Sequence, residues 1–239
     1  MVILIAAAVI PALVLLIRIY RLDRLEPEPP RLLLSLVVLG VISTFLASIS
    51  EQIGDLILAY FLPEQDPLYS ILLYFVIVAF SEEGFKYLLL KNRTWRSPDF
   101  NCQFDGVVYA TFVSLGFALW ENIAYVLRFG MATAVARAIT AIPGHACFGV
   151  FMGVWYGVAK RQEMAGKADQ SRVSRWLAVL MPALLHGLYD YIATRELEEA
   201  SLVFFAFVLV MFFVAYRVAV ATSRRDRYID DQSRWYGRY

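Results

Sequence analysis

Leu68-Tyr-Ser-Ile-Leu-Leu-Tyr-Phe-Val-Ile-Val-Ala-Phe-Ser-Glu-Glu-Gly-Phe-Lys-Tyr-Leu-Leu-Leu90 is the stretch that decides the fold. It is long enough to cross a bilayer as one helix, yet it contains two adjacent glutamates, Glu82 and Glu83, with Lys86 one turn further on. A carboxylate at the bilayer centre costs at least about 2.5 kcal/mol on insertion scales, so it is rarely retained without a use. The stretch therefore predicts a membrane helix that carries a polar functional site.

The whole chain has the composition of a membrane protein. Of its 239 residues, 60% are hydrophobic and only 18% are charged, which is more apolar than an average soluble domain. We expect an all-α, polytopic fold with about seven transmembrane helices, forming a single integral-membrane domain over 1–239. The predicted spans lie near 2–20, 32–59, 68–90, 105–127, 132–159, 176–195 and 200–220.

The charged loops predict the orientation. Eighteen of the 22 Lys and Arg residues fall after the first, third, fifth and seventh spans, whereas the alternate loops are acidic or almost uncharged. By the positive-inside rule the basic side is cytoplasmic, so the N-terminus is expected outside and the C-terminus inside. Residues 221–239 are then a basic cytoplasmic tail. The net charge of +1 does not suggest a nucleic-acid partner.

Four predicted helices bring polar groups towards one interior space. Residues four apart share a helix face, which pairs Glu82 with Lys86 and His186 with Asp190. In the fifth span, the residues at four-residue intervals after His145 are glycines. In the fourth span, small residues at the same interval lead to Asn122, which adjoins Glu121. Small residues at this spacing let membrane helices approach closely, so these faces should point into the bundle. We expect a polar cavity near the membrane midplane that opens more easily to the outer side.

These residue types suffice for water attack on a peptide bond. A carboxylate and an imidazole can hold a water molecule and remove its proton, so the catalytic candidates are Glu82, Glu83, His145 and His186. Lys86 and Asp190 are expected to support the site by tuning its charge, and Glu121 and Asn122 are further supporting residues. Either the Asn122 amide or His145 would donate to an oxyanion. This mechanism requires no cofactor. Two histidines and a carboxylate are also a catalytic zinc set, so a zinc site formed by Glu82, Glu83, His145 and His186 is an alternative.

The order of these motifs resembles that of the PrsW family of intramembrane proteases. The motifs are Glu26-Pro-Glu-Pro29, Glu82-Glu83-x-x-Lys86, Phe117-Ala-Leu-Trp-Glu121-Asn122, His145 and His186-x-x-x-Asp190. That family is similar to the type II prenyl-protein (CaaX) endopeptidases and to the anterior-pharynx-defective subunit of γ-secretase. The resemblance implies an intramembrane endopeptidase of a bacterial or archaeal cytoplasmic membrane that makes the first cut in a membrane-anchored anti-sigma factor. It also implies that the two glutamates and two histidines form the site.

Two other functions remain alternatives. Buried Glu, His and Asp residues also form proton or ion relays in coupled transporters, although no internal repeat of the kind that many transporters have is present. The γ-secretase relative shows that a non-catalytic membrane scaffold is a further alternative. A prenyl-protein substrate is disfavoured, because Lys86 stands one residue before the arginine that the CaaX endopeptidases have, and Ala141 replaces their phenylalanine.

Overall fold

The protein is a bundle of membrane-length helices. The computed structural model describes residues 2–195 and 198–229. Within these ranges the helices are α1 (Val2–Tyr20), α2 (Pro30–Phe61), α3 (Pro67–Leu72), a π-helical segment (Leu73–Val78), α4 (Ala79–Thr94), α5 (Asp105–Phe129), α6 (Met131–Ile139), α7 (Ala141–Met164), α8 (Ala168–Ala193) and α9 (Glu198–Arg224). The described residues contain no β-strand, only an isolated antiparallel bridge between Cys102 and Tyr228.

Seven stretches within the described residues are long and apolar enough to cross a membrane, which confirms the predicted fold class. The third stretch joins α3, the π segment and α4 over Pro67–Thr94, and the fifth joins α6 and α7 over Met131–Met164. Large apolar side chains of α1, α2 and α9 point outward, as lipid-facing surfaces require. The orientation of the termini stays a prediction from the loop charges.

The fifth predicted span, 132–159, is interrupted. It is two helices separated at Thr140, whose φ of −122° and ψ of −70° are not helical. Pro143 is consistent with the start of the second helix, because proline has no N–H to donate and is favoured in the first turn. The break places His145 near the start of α7.

The most enclosed helix is α5, which packs against α1, α2 and α7. Glycines allow these close approaches: a Cβ on Gly40 of α2 would lie 2.1 Å from the Val113 carbonyl oxygen of α5. On the other side of α5, a Cβ on Gly153 would lie 2.4 Å from the Gly106 carbonyl oxygen. The predicted glycine stripe of the fifth span therefore faces the bundle interior.

The C-terminal end of the described chain folds back onto the bundle. Helix α9 continues to Arg224, four residues into the predicted tail of 221–239. The following residues pair with the loop between α4 and α5, because the amide of Gln103 donates to the Arg227 carbonyl and the amide of Ile229 donates to the Asn101 carbonyl. The rest of the predicted tail, 230–239, lies outside the described residues.

Candidate active site

Helix α4 presents the two glutamates and the lysine on one buried face. The helix begins directly after the π segment, a type of irregularity that is frequent near functional sites. Glu82 and Glu83 lie one turn before Lys86, at the spacings at which helical side chains meet. Glu83 and Lys86 are fully buried, and Glu82 is 6% exposed.

The Lys86 ammonium is the centre of the site. Its Nζ lies 3.0 Å from Glu82 Oε2, 2.8 Å from Glu83 Oε1 and 3.2 Å from His145 Nδ1. The same nitrogen lies 3.8 Å above the centre of the Phe117 ring, within cation–π distance. The three hydrogens of the ammonium therefore face two carboxylates and one imidazole.

This contact assigns the tautomer of His145. An ammonium only donates, so Nδ1 of His145 accepts from Lys86 and the ring hydrogen lies on Nε2. That nitrogen lies 3.0 Å from Glu121 Oε2, which accepts the hydrogen. Both nitrogens of His145 are thus committed to protein partners.

His186 of α8 lies between carboxylates. Its Nδ1 is 3.0 Å from Glu83 Oε1 and 3.8 Å from Glu82 Oε2, while its Nε2 is 3.4 Å from Asp190 Oδ2. The Phe148 ring stacks on the imidazole at 4.6 Å, and the two histidine rings are 5.3 Å apart. The structure thus brings Glu82, Glu83, His145 and His186 into one cluster and places Asp190 where it orients the His186 ring.

Glu121 and Asn122 have different surroundings. Glu121 Oε2 accepts from both His145 and Arg137, the latter at 2.7 Å, so it belongs to the cluster. The Asn122 side-chain amide donates to the Ala8 carbonyl of α1, and its oxygen accepts from Arg137. The Asn122 amide therefore connects helices, and the residues that line the cavity do not include it. A role for Asn122 as an oxyanion donor stays a prediction.

Two residues of the site were missed by the sequence reasoning. Arg137 of α6 holds Glu121 and Asn122, and its guanidinium also lies 4.1 Å from the centre of the Tyr125 ring. Glu51 of α2 lines the cavity, and its Oε1 has no hydrogen-bond partner. Each is a charged residue inside a predicted span, which is the signal that identified Glu82 and could have identified both.

The cluster opens into a cavity of about 370 Å³. Glu82, His145 and His186 line its inner end, whereas Glu83 lies behind them. The cavity reaches Tyr125 and Thr194, at the helix ends that the charge pattern places outside. A larger groove of about 600 Å³ lies on the opposite face of α4, beside Gly84 and Leu88, and none of the clustered acids or histidines lines it.

The donor set of the cluster fits a metal ion. One ligand atom from each of Glu82, Glu83, His145 and His186 lies within 4.8 Å of the others, and carboxylate oxygen with imidazole nitrogen is what zinc accepts. The Lys86 ammonium contacts three of these four residues. For a metal ion to take the same ligands, the ammonium must move away or lose its proton.

Comparisons with known proteins identify the family. The family model described as PrsW family intramembrane metalloprotease matches residues 28–217. Protease PrsW of Halalkalibacterium halodurans is 32% identical over 228 residues, covering 94% of this chain and 99% of that protein. Protease PrsW of Bacillus subtilis is 34% identical over 192 residues, covering 80% and 82%. Protease PrsW of Geobacillus kaustophilus is 33% identical over 216 residues, covering 90% and 89%.

No solved structure matches the chain. The matched region of 28–217 contains every residue of the active-site cluster. It also contains all helices of the described chain except α1 and the end of α9. With a buried glutamate pair and two histidines inside a membrane-length bundle, the match favours a protease over a transporter or a scaffold. The chain belongs to the PrsW family of intramembrane metalloproteases.

Proposed function

We propose that Glu82, with Glu83, His145 and His186, hydrolyses a peptide bond within or beside the membrane-spanning segment of a protein substrate. The observation that carries this proposal is the exposure of Glu82, and not of Glu83, to the cavity that both histidines line. A general base must reach the water whose proton it removes. Glu82 has that access, and its partner carboxylate does not.

The roles follow from the contacts. Glu82 takes a proton from water, the resulting hydroxide attacks the carbonyl carbon, and Glu82 then gives the proton to the leaving amine. Between Glu83 and Asp190, His186 is an imidazolium with a hydrogen on each nitrogen. The Nδ1 hydrogen stays on Glu83, and the hydrogen on Nε2, which lies 3.4 Å from Asp190 Oδ2, is donated to the carbonyl oxygen as negative charge develops on it. Glu83 is a positioning residue, because its Oε1 holds both Lys86 and His186. His145 and Glu121 position Lys86 from the other side.

A zinc ion held by Glu82, Glu83, His145 and His186 would supply Lewis-acid activation of the attacking water. The description of the family as metalloproteases and the donor set support this alternative. The three-way contact of Lys86 supports the metal-free mechanism, since the lysine already provides the positive charge that the carboxylates need.

For the substrate, we propose a single-span protein of a bacterial cytoplasmic membrane, and by family resemblance a membrane-anchored anti-sigma factor. The cavity extends from mid-membrane residues to helix ends predicted to lie outside, so cleavage is expected near the outer end of the substrate helix. The seven membrane-length helices support delivery of the substrate through the lipid bilayer.

The test is cleavage of single-span substrates by the purified protein in detergent. The variants are Glu82→Gln, Glu83→Gln and, as a control, Glu64→Gln in the exposed loop before α3. We expect Glu82→Gln to abolish cleavage in a folded protein and Glu64→Gln to be fully active. Full activity of Glu82→Gln would refute the assignment. Cleavage lost on chelation and restored by zinc would replace the metal-free mechanism with the metal-dependent one.

A further inference from the structure

A second cluster of acidic residues lies at the other end of α5, away from the candidate active site. Its members, here called the acidic cluster, come from the α1–α2 loop, the α4–α5 loop, the start of α5 and the segment after α9. They are Asp23, Glu28, Cys102, Asp105 and Asp226. Asp105 lies twelve residues before Phe117, the ring that contacts Lys86, which is about 18 Å along the helix. The two clusters are therefore separate sites.

The ligand atoms of the acidic cluster converge. One atom each from Cys102, Asp105 and Asp226 lies within 4.8 Å of the others, and the same holds for Asp23, Glu28 and Asp105. Asp105 belongs to both groups and is 1% exposed, while Glu28 is 3% exposed. Two groups of three donors thus share the buried carboxylate of Asp105.

Among the described residues, no cation balances these carboxylates. None of the four makes a salt bridge within the described part of the chain. The hydrogen bonds that they accept come from neutral donors: the Tyr109 hydroxyl to Glu28 at 2.6 Å, the Cys102 amide to Asp105 at 2.6 Å, and the Phe104 amide to Asp226.

Several polar atoms aimed into the cluster are shielded from solvent and have no hydrogen-bond partner. Both carboxylate oxygens of Asp23 are in this state, and so is Oδ2 of Asp226. The Cys102 side chain is 1% exposed, and its sulfur makes no hydrogen bond although it faces the Asp105 and Asp226 carboxylates. The lack of hydrogen-bond partners is an observation separate from the number of acidic residues, because carboxylates at a solvated surface have water as a partner.

The buried carboxylates have two ways to avoid an uncompensated charge: they take up protons, or they bind a cation. Burial raises the pKa of Asp23 to about 7 and that of Glu28 to about 8. A protonated carboxyl, however, gains from donating its hydrogen to an acceptor. Neither oxygen of Asp23 makes a hydrogen bond of ordinary geometry, so protonation leaves this group unsatisfied.

We propose that the acidic cluster binds a divalent cation. The carboxylates of Asp23, Glu28 and Asp105, whose oxygens lie within 4.8 Å of one another, form an oxygen donor set of the kind that Mg²⁺, Mn²⁺ and Ca²⁺ prefer. The ion would satisfy the orphaned oxygens of Asp23. It would also connect the α1–α2 loop with the start of α5.

The test is Mn²⁺ binding to the full-length protein in detergent after removal of metals, measured by the paramagnetic resonance signal of free Mn²⁺. We expect one site per chain whose Kd rises by at least about tenfold in Asp23→Asn, since loss of even a supporting group costs about that much affinity. Asp23→Asn is the mildest variant, because the carboxylate makes no hydrogen bond that folding would lose. Glu64→Gln is the matched control for a lost surface carboxylate.

A His145→Gln/His186→Gln variant separates this site from the candidate active site, and we expect it to retain the Mn²⁺ site. If the Mn²⁺ site disappears in that variant and persists in Asp23→Asn, the bound ion lies in the active site and the proposal is refuted. Absence of Mn²⁺, Mg²⁺, Ca²⁺ and Zn²⁺ binding by the folded wild type at millimolar concentration would refute it too. If Asp23→Asn does not fold, Glu28→Gln gives the same comparison.

Discussion

Replacement of Lys86 by methionine tests the organisation of the active site most directly. Methionine has a similar length and stays apolar, so it removes the ammonium and little else. The change leaves Glu82 and Glu83 buried without their shared cation and leaves His145 Nδ1 without its donor. Removal of one partner from a buried ion pair typically costs about 3–5 kcal/mol. One ammonium here serves two carboxylates, so we expect a loss in free energy of unfolding at the upper end of that range.

The assay is unfolding in mixed micelles with rising SDS, followed by the fluorescence of the five tryptophans. A double-mutant cycle with Glu83→Gln isolates the interaction between Lys86 and Glu83. Once the Glu83 carboxylate is removed, loss of the Lys86 ammonium should lower the free energy of unfolding by less. We expect a coupling energy of about 1–3 kcal/mol between the two positions. Lys91→Met is the control, because that side chain lies on the opposite face of α4, at the larger groove. Additive effects of the two substitutions would refute the description of Lys86 as the counter-ion of Glu83.

Three further predictions follow from other parts of the structure. Arg137→Gln frees Glu121 from its second partner and should lower kcat/KM for substrate cleavage by about tenfold, as loss of supporting groups does elsewhere; unchanged cleavage would show that Arg137 only anchors α6. Gly153→Ala places a Cβ against the backbone of α5 and should destabilise the fold by about 1–3 kcal/mol. Gly84→Ala, at a helical position with open space around it, should instead stabilise the fold by up to about 1 kcal/mol in the same SDS titration. The raised pKa values of Asp23 and Glu28 mean that the folded chain holds these protons more tightly than the unfolded chain. In metal-free protein the stability that comes from these bound protons is complete in acid and is lost as the pH rises through about 7 to 8. The Tm should therefore fall between pH 6 and pH 9, and saturating Mn²⁺ should reduce the fall. A Tm independent of pH would contradict this linkage.

The sequence predicted the active-site cluster because its chemistry is local and periodic. Glu82, Glu83 and Lys86 are neighbours on one helix by spacing alone, and His186 with Asp190 follows the same rule. The meeting of these helices followed from small residues, such as Gly153, that mark the faces which pack closely. Composition and span length were sufficient for the membrane fold.

The features that escaped prediction depend on contacts between distant segments. Arg137 reaches Glu121 because the chain turns at Gly130 and α6 packs back against α5, and periodicity within one apolar segment does not report this turn. The contacts of Asn122 could not be predicted, because a side-chain amide serves equally well as a helix connector and as an oxyanion donor. The acidic cluster joins residues as far apart as Asp23 and Asp226, and no local pattern relates loops at that separation.

The pairing within α4 also has a consequence for membrane insertion. A helix that enters the bilayer with three isolated charges would carry three separate desolvation costs. Because Lys86 reaches both Glu82 and Glu83 within its own helix, these three side chains can enter lipid largely self-neutralised, with one net negative charge among them, before any other helix arrives. The histidines, on α7 and α8, can enter as neutral rings. The chain can thus bring a strongly polar site into the membrane one helix at a time, and helix packing then converts the internal ion pair of α4 into the shared network of the finished protein.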